Sequence, residues 1–458
     1  MKKNTICFLL CGLLIGEYSF TSSVFAQTKE ISKPKNVIYM IGDGMGFGQM
    51  EIARLFEHGK SGKLFMETLP NVAYVHTDSA NQFVTDSAAG GTALATGFKT
   101  NNEMIGMKPN KQEIDSILDK FKNDGKKTGI ITTSSVTDAT PAAFTASVSD
   151  RWANQRDIAS QQLKNQVDVL LGGGANKFKK TAPDEKDLIT EFQKNGYTFV
   201  TNKEELATAK GEKLLGLFNQ SHMNFKIDRD EKKSKEPSLT EMTEKGLEIL
   251  AQNPNGFFLM VEGARIDHAS HSADITSIWK ETIEFDQAVQ YAVEWAKKKQ
   301  DTLVVVTADH ETMGISEPEP INIKALKNIS VSSSYMADLV KTKDKKIEDI
   351  RKMKEVLQRY AHLQLNNQAI TDFINTCNHE NEMVYQESHI AWEIGSLIAA
   401  HNHAGVSSNE NRLLSSTGGH TGNPVPLFAF GDGSEEFEGV LNNVDVPRII
   451  GKIMGYPL

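Results

Sequence analysis

The segment from Thr85 to Gly97 combines an acid, a hydroxyl and a run of small residues that could support nucleophilic chemistry. Asp86 precedes Ser87, and Ala, Gly and Thr follow the serine, so a helix could begin here with its backbone N–H groups accessible. A helix N-terminus attracts anions through unpaired N–H donors and its positive dipole end. Ser87 could therefore attack an anionic electrophile, provided that its surroundings lower its pKa. The plainer alternative is that Asp86 caps a helix that packs through small residues.

Residues able to bind cations follow apolar, strand-like segments along much of the chain. They are Asp43, Asp138 with Thr140, Glu262, Asp267 with His271, Asp309 with His310, and His420. Open α/β sheets bind ligands at the carboxyl edge of their strands, so these side chains could meet there. Each residue alone has a simpler explanation as a helix cap, a turn residue or a surface histidine. So many of them at strand ends are hard to produce by packing alone.

The types of these side chains indicate which metals they would bind. Two sets offer the mixed oxygen and nitrogen donors of a catalytic zinc site: Asp267 with His271 and His420, and Asp43 with Asp309, His310 and the alkoxide of Ser87. A third set offers only oxygen, which suits magnesium with water completing its shell: Glu262, Thr140 and the shared Asp43. Two zinc ions roughly 3.5–4 Å apart can hold the attacking and leaving oxygens of an in-line displacement.

The elements that would position these residues alternate between buried strands and helices. Apolar runs typical of strands lie at 36–42, 72–76, 128–133, 167–171, 197–201, 256–262, 301–307 and 425–431. Helical patterns lie at 115–123, 187–195, 240–252 and 273–299. This alternation predicts an α/β fold, with a mostly parallel central sheet covered by helices on both faces, in a single domain over residues 27–458.

Residues 311–411 differ from the rest of the chain because they contain few apolar runs typical of strands. A charged, helix-forming stretch covers 341–360, and another helix is expected at 386–400. We therefore predict a mainly helical insertion over or beside the sheet, with its charge runs on solvated faces. His401 and His403 are expected to be ordinary residues at a helix end rather than ligands.

The first 26 residues have the pattern of an export signal. Two lysines precede a short apolar core, and Val24-Phe25-Ala26 forms a cleavage site, so the mature protein is expected to be periplasmic or secreted. No later stretch approaches the length of a membrane span. Cleavage would leave Cys377 alone, so no disulfide is expected within the mature chain. The formal net charge of −9 at pH 7 argues against non-specific nucleic-acid binding.

Six motifs, in their order and spacing, resemble those of the alkaline phosphatases. They are Gly42-Asp43-Gly44-Met45-Gly46, Thr85-Asp86-Ser87-Ala88, Asp138-Ala139-Thr140-Pro141, Glu262-Gly263-Ala264-Arg265-Ile266-Asp267-His268, Thr307-Ala308-Asp309-His310 and Gly418-Gly419-His420-Thr421. The resemblance runs from about residue 36 to 447 and is weakest over 311–411. It implies an exported bacterial enzyme with the alkaline phosphatase fold, which hydrolyses small phosphate monoesters with low selectivity.

The resemblance also implies a role for each candidate residue. Ser87 would become phosphorylated, and Arg151, thirteen residues after Asp138, matches the arginine that grips phosphate oxygens. One zinc ion would be bound by Asp267, His271 and His420, and a second by Asp43, Asp309, His310 and Ser87. One magnesium ion would be bound by Asp43, Thr140 and Glu262, with Asp138 reached through water. The resemblance further suggests a homodimer.

Two positions depart from parts of the family. His268 stands where some bacterial members carry lysine, and Asp138 stands where animal members often carry histidine, which leaves the magnesium affinity and the pH optimum open. The natural substrate is also open.

Two other functions remain as alternatives. A phosphodiesterase or sulfatase of the same superfamily would keep the fold and metals, although Arg151 and the third metal set favour a dianionic monoester. A metal-binding protein without activity is a further alternative, although structural zinc sites usually use more sulfur than this chain has.

Overall fold

Twelve β-strands lie within residues 33–180, 186–379 and 385–458, which are the residues that the computed structural model describes. The strands are β1 (Asn36–Ile41), β2 (Asn71–His76), β3 (Lys127–Ser135), β4 (Val169–Gly173), β5 (Thr198–Val200), β6 (Leu214–Leu217), β7 (Phe257–Glu262), β8 (Thr302–Thr307), β9 (Glu311–Thr312), β10 (His420–Thr421), β11 (Val425–Gly431) and β12 (Gly439–Asn442). Ten of them form one sheet in the order β12-β2-β11-β8-β1-β7-β3-β4-β6-β5, while β9 and β10 pair separately. The predicted export signal at 1–26 lies outside the described residues.

The large sheet is mostly parallel, as predicted. Only β11 runs antiparallel to its neighbours, which are β2 and β8, and the other adjacent pairs of this sheet are parallel. Every residue of β1, β7 and β8 is buried, which explains why their sequences are continuously apolar rather than alternating. The more peripheral β2 alternates between exposed and buried positions instead. Asp43, Glu262 and Asp309 therefore lie at the ends of fully buried strands.

Helices pack around this sheet. The α-helices of the described residues are α1 (Phe47–His58), α2 (Ser87–Thr96), α3 (Ile117–Asn123), α4 (Ala139–Ala143), α5 (Gln155–Asn165), α6 (Ala175–Phe178), α7 (Leu188–Lys194), α8 (Lys203–Thr208), α9 (Leu239–Leu250), α10 (Arg265–His271), α11 (Ile275–Lys299), α12 (Ile323–Lys327), α13 (Ser333–Val340), α14 (Ile350–Tyr360), α15 (Asn367–Cys377), α16 (His389–His401), α17 (Asn409–Leu414) and α18 (Asp445–Met454). Short 3₁₀ helices cover Met66–Thr68, Lys226–Asp228, Gln386–Ser388 and Ser434–Glu436. The long α11 contacts β8, α1, α9 and α10, so it ties the site-bearing α10 to the core.

The chain between β9 and β10 carries α12 to α17, and we call this stretch the helical segment (residues 313–419). The predicted helix over 341–360 is wrong in its first half, because α14 begins only at Ile350. Asp349 caps it by accepting hydrogen bonds from the backbone N–H groups of Arg351 and Lys352. Before that cap, Lys341 and Ile347 form an isolated antiparallel bridge. The helix expected at 386–400 is a 3₁₀ turn followed by α16.

The described residues belong to one compact unit. Cys377 is buried and free within it. None of the helices described has the length and apolar content that crossing a bilayer requires.

Candidate active site

Four adjacent strands deliver acidic residues to one edge of the sheet. The strands β8, β1, β7 and β3 lie side by side in this order. Asp309 follows β8, Asp43 follows β1, and Glu262 ends β7. Asp138 caps α4, which begins just after β3. Since neighbouring parallel strands end at the same edge, residues that are far apart in the sequence become neighbours here.

Glycine allows the turn after β1 to approach its surroundings closely. Gly44 has φ +69, and a Cβ at this position would lie 2.8 Å from the Cα of Asp267. Its backbone N–H donates to Oδ1 of Asp309 over 3.2 Å. A larger residue would be strained and would push Asp43 away from both acids.

Ser87 is the first residue of α2, directly after the cap residue Asp86. The Asp86 carboxylate accepts from the backbone N–H of Ala89 at 2.9 Å, and every residue of α2 is buried. The small residues have a packing role, because a Cβ on Gly90 would lie 3.0 Å from the carbonyl oxygen of Asp309. This close packing brings Ser87 Oγ to 3.1 Å from Nε2 of His310.

Asp267, His271 and His420 form a buried group, which we call the inner cluster. Nε2 of His271 lies 3.2 Å from Oδ2 of Asp267 and 3.2 Å from Nε2 of His420. The other nitrogen of each ring faces a carbonyl: Nδ1 of His271 donates to Gly418 O (2.9 Å), and Nδ1 of His420 donates to Thr85 O (2.9 Å). Because each Nδ1 carries the proton, each Nε2 keeps a lone pair that faces the cluster.

His310 has the same arrangement beside the inner cluster. The Thr312 hydroxyl donates to Oδ1 of Asp267 at 2.6 Å, so its oxygen is free to accept from Nδ1 of His310 at 3.2 Å. Nε2 of His310 then faces Asp43 at 3.4 Å and Asp309 at 3.3 Å. Asp43, Asp267 and His310 form one metal-sized group. The sequence predicts Asp309 in that set and places Asp267 in the first.

The carboxylates of this region are buried together, and their protonation reflects the crowding. Burial, with repulsion from Asp309 and Asp267, raises the pKa of Asp43 well above its usual value. Burial also raises the pKa of Asp309, and it raises the pKa of Glu262 to about 8. Thr140 Oγ1 lies 3.4 Å from Asp43 and 3.5 Å from Asp309, and it also hydrogen bonds to Glu262.

This donor set fits divalent cations. Oδ1 of Asp43 is buried without a hydrogen-bond partner, although a buried carboxylate oxygen is normally paired. For Asp267, burial would raise the pKa, but the adjacent His271 and His420 outweigh it and hold the pKa well below its usual range. Crowded buried acids, imidazole lone pairs and an orphaned carboxylate oxygen together form the environment that a metal ion stabilises.

Asp138, His222 and His268 form a second group of metal-sized dimensions, which we call the outer cluster. Oδ2 of Asp138 lies 3.7 Å from Nδ1 of His222 and 3.8 Å from Nε2 of His268. Here Nδ1 of each ring faces a donor. Nη1 of Arg265 lies 2.6 Å from Nδ1 of His268, and the backbone N–H of Ser135 donates to Nδ1 of His222 at 3.2 Å.

These donors set the tautomers of the outer cluster. An arginine N–H can only donate, so Nδ1 of His268 accepts, and Nε2 carries the ring proton. Burial lowers the pKa of His222 to about 4, so this ring is also neutral near pH 7, with its proton on Nε2. The nitrogens that face Asp138 are therefore either already accepting a hydrogen bond or protonated, and neither ring offers a free lone pair to a metal.

Arg151 connects the outer cluster to the segment that carries Ser87. Its Nη2 donates to Oδ1 of Asp138 at 2.8 Å, and its Nη1 lies 3.7 Å from Oδ2 of Asp86. Burial alone would raise the pKa of Asp138, but Arg151 and the two nearby imidazoles lower it to about 2. Asp138 is thus ionised near neutral pH and holds the guanidinium in place.

A cavity of about 600 Å³ opens over these residues. Among the predicted site residues, its lining includes Asp43, Ser87, Asp138, Arg151, Asp267 and His271. The other predicted residues are linked to these by close contacts, either directly or through one another: Thr140, Glu262, Asp309, His310 and His420. The structure therefore brings all the predicted site residues into one region.

Other residues of the cavity were not anticipated. His222 follows β6, a strand that was not predicted, and its apolar Leu214–Leu217 run is the signal that would have found it. Tyr385 and Trp392 come from the helical segment, and no motif marks them. His401 is exposed at the end of α16, and neither it nor His403 belongs to a metal-sized group of the described residues.

Comparisons with known proteins agree on one family. The family model for alkaline phosphatase matches residues 34–456. Alkaline phosphatase 4 of Bacillus subtilis is 36% identical over 98% of this chain and 95% of its own length. The Thermus thermophilus alkaline phosphatase structure superposes with a TM-score of 0.82 at 26% identity, covering 93% of this chain and 94% of its own. A mutant TAB5 alkaline phosphatase with magnesium bound in its M3 site superposes with a TM-score of 0.66 at 27% identity, covering 94% and 100%.

Proposed function

The chain belongs to the alkaline phosphatase family and hydrolyses phosphate monoesters, and we propose that the reaction passes through a covalent phosphoserine on Ser87. One observation carries the proposal. The Ser87 hydroxyl stands at the start of a helix, 3.1 Å from the His310 imidazole, and faces a cavity that Arg151 also lines. A nucleophile, cation ligands and a phosphate-binding guanidinium are thus in contact with one space.

The residue sets proposed for the metals are those from the sequence. Two zinc ions would be held by Asp267, His271 and His420, and by Asp43, Asp309, His310 and Ser87. One magnesium ion would be held by Asp43, Thr140 and Glu262, with Asp138 contacting it through water. The TAB5 relative with magnesium bound supports that third site.

The metal requirement follows from the chemistry of a dianionic substrate. When bound, these ions supply positive charge that offsets the negative charge of the phosphate and favours the deprotonated serine. The orphaned Oδ1 of Asp43 and the lone pairs of three buried imidazoles support the assignment. Metal-ligating histidines usually donate their other N–H to an oxygen, as all three do here.

Arg151 is proposed to bind the non-bridging oxygens of the phosphate. A guanidinium presents paired N–H donors that match a phosphate, and such charge-assisted bonds are short and strong. Asp138 fixes this side chain through one nitrogen, while Nε of Arg151 has no partner. The phosphorus would therefore be held in a fixed orientation toward Ser87 before any bond changes.

The proposed reaction has two balanced steps. In the first, Ser87 Oγ forms a bond to phosphorus, the ester P–O bond breaks, and the alcohol leaves with the proton that the serine gave up. In the second, a water oxygen attacks the phosphoserine, the Oγ–P bond breaks, and Ser87 recovers a proton as inorganic phosphate leaves. The buried N-terminus of α2 favours the negative charge that develops near Ser87 in both steps.

Ser87→Ala tests the covalent step. We expect turnover of a chromogenic monoester to fall by at least about a thousandfold, because the nucleophile is lost, while the bound metal remains. Acid quenching followed by mass spectrometry should detect phosphate on the peptide that contains Ser87 in the parent protein only. Ser160→Ala, on the exposed side of α5, is the matched control.

Two results would contradict the proposal. One is unchanged turnover in Ser87→Ala, and the other is a phosphorylated residue elsewhere. A diester assayed beside the monoester, with and without a chelator, tests the phosphodiesterase alternative and the metal requirement together.

Export and dimerisation are proposed on separate grounds. The pattern of residues 1–26 supports export to the periplasm or the medium, and sequencing the mature protein should find Gln27 first. The homodimer rests on family resemblance, and sedimentation should give twice the mass of one chain. A monomer, or a mature protein that retains residue 1, would contradict these two proposals.

A further inference from the structure

Trp152 is an exposed aromatic residue beside the proposed phosphate-binding arginine. Its side chain lines the cavity that contains Ser87, and the residue is 47% exposed. The Arg151 guanidinium lies over the indole ring, 4.5 Å from its centre. A half-exposed indole at the mouth of a polar site presents a surface on which a planar ring of a ligand can stack.

Aromatic rings continue from Trp152 along one wall of the cavity. Tyr385 packs edge-on against Trp152, with ring centres 5.5 Å apart, and Trp392 lies 5.7 Å from Tyr385. Trp392 stacks on the proposed zinc ligand His271, with centres 5.3 Å apart and planes 7° apart. The same cavity is also lined by Arg151, Asp138 and the outer cluster histidines. It therefore combines charged groups for phosphate with a run of aromatic rings that begins at Arg151.

We propose that Trp152, supported by Tyr385, is the subsite for the alcohol part of the substrate and favours phosphate monoesters whose alcohol carries a planar aromatic ring, such as a nucleobase. This inference rests on the proposed function, because it takes Arg151 as the residue that grips the phosphate. It adds a substrate class and two specificity residues that the family match does not specify.

The distances suit a nucleoside monophosphate. An arginine–phosphate hydrogen bond is about 2.8 Å long, so the indole lies within roughly 10 Å of a phosphate held by Arg151. That spacing can be spanned by the sugar that separates a nucleobase from its phosphate. An aromatic ring gains free energy by stacking on an indole without needing specific hydrogen bonds, so the preference would extend to different bases.

The simpler explanation is that Trp152 only holds Arg151 in place. Asp138 already does this through a 2.8 Å ion pair. Contact with the guanidinium also leaves about half of Trp152 exposed, and this part is available to a ring of the substrate. The two explanations differ in what they predict for substrates that share a phosphate but differ in their ring.

Adenosine 5′-monophosphate and ribose 5-phosphate provide this comparison, because both are esters of a primary ribose alcohol and differ in the base. We expect Trp152→Ala to lower the ratio of their kcat/KM values, adenosine monophosphate over ribose phosphate, by about fivefold, which is at the low end of base-stacking effects. Trp152→Phe should keep at least half of the parent ratio. Tyr74→Ala is the control, because Tyr74 is also about half exposed but packs on Phe47 away from this cavity.

An unchanged ratio of the two kcat/KM values in Trp152→Ala would overturn the inference. If both values fell equally, the indole would serve Arg151 alone, and if neither fell, the indole would have no role in the reaction. Failure of the proposed function would appear elsewhere, as a Ser87→Ala variant that still turns over ribose 5-phosphate. The two failures are therefore distinguishable in the same assays.

Discussion

The inner and outer clusters contain the same residue types, one aspartate and two histidines, at similar distances. They differ in what faces Nδ1 of each ring. In the inner cluster, His271 and His420 donate from Nδ1 to backbone carbonyls, so both Nε2 lone pairs point inward. In the outer cluster, an arginine and a backbone amide donate to Nδ1, so His268 faces Asp138 with a protonated Nε2 and His222 faces it with an Nδ1 that already accepts.

This difference shows that ligand type and spacing do not define a metal site. A carbonyl behind a histidine makes it a cation ligand, whereas an N–H donor behind it makes it a donor toward anions or water. The inner cluster thus has the hydrogen bonding of a cation site, whereas the rings of the outer cluster do not. Mutations of the groups that hydrogen bond to Nδ1 of these histidines should therefore change function without replacing a proposed metal ligand.

The largest effect is expected from removing an inner-cluster ring. His420→Ala should lose about one zinc ion per chain, because a catalytic zinc site has about three protein ligands. Losing several kcal/mol of transition-state stabilisation should lower kcat/KM by on the order of a thousandfold. Elemental analysis and monoester kinetics measure both.

His222→Ala, in the outer cluster, is the matched control for metal content. We expect its zinc and magnesium content to equal that of the parent protein. Loss of metal from His222→Ala, or full metal content in His420→Ala, would remove the distinction between the two clusters.

A smaller effect is expected from the hydroxyl behind His310. Thr312→Val removes the oxygen that accepts from Nδ1 of His310 and the donor to Asp267, while keeping the side-chain shape. Loss of such an outer partner typically weakens metal binding by about 10–100-fold, and a chelator titration would measure the change. Thr312→Ser retains the hydroxyl and should bind metal almost as the parent does. Equal affinity in the Val and Ser variants would contradict the role given to the hydroxyl.

The smallest expected effect is a gain of zinc binding at the outer cluster. Arg265→Met removes the donor to Nδ1 of His268, so this ring can place its proton there and offer Nε2 to a cation beside Asp138. We expect one additional weakly bound zinc ion per chain, detectable by equilibrium dialysis and removed first by a chelator. Arg265→Lys keeps a cationic donor and should show no additional zinc. Additional zinc in the lysine variant, or none in the methionine variant, would show that the tautomer does not control this site.

The sequence was sufficient to predict which acids meet at the edge of the sheet, but not which nitrogen of each histidine carries the proton. Continuous apolar runs identified β1, β7 and β8, and the acids that follow them converge because neighbouring parallel strands end together. The oxygens that accept from His420 and His271 are the backbone carbonyls of Thr85 and Gly418, which lie in distant loops. Any residue type has a backbone carbonyl, so the sequence does not indicate these partners. Arg265 lies within one of the six motifs of the sequence. Its contact with His268 forms because α10 brings residues three positions apart to the same side of the helix.

The helical segment was the least predictable region. Helix propensity predicts one helix over its charged stretch at 341–360, but the helix begins only at Ile350, where Asp349 caps it. Tyr385 and Trp392 reach the cavity through the folding of this segment against α10 and the β9–β10 pair. An aromatic residue in a helical pattern usually belongs to a core, so its contribution to a substrate site is visible only in three dimensions.

The four buried carboxylates of Asp43, Asp267, Asp309 and Glu262 also affect how long the protein survives. A ligand that binds the folded chain and not the unfolded chain adds about 2.7 kcal/mol of stability at a hundred times its Kd. Without divalent cations, repulsion among these acids is relieved only by taking up protons, as the raised pKa values of Asp43, Asp309 and Glu262 indicate, and the stability that bound ions would add is missing. We therefore expect the supply of divalent cations in the surroundings to govern how long each molecule resists proteases as well as how fast it works.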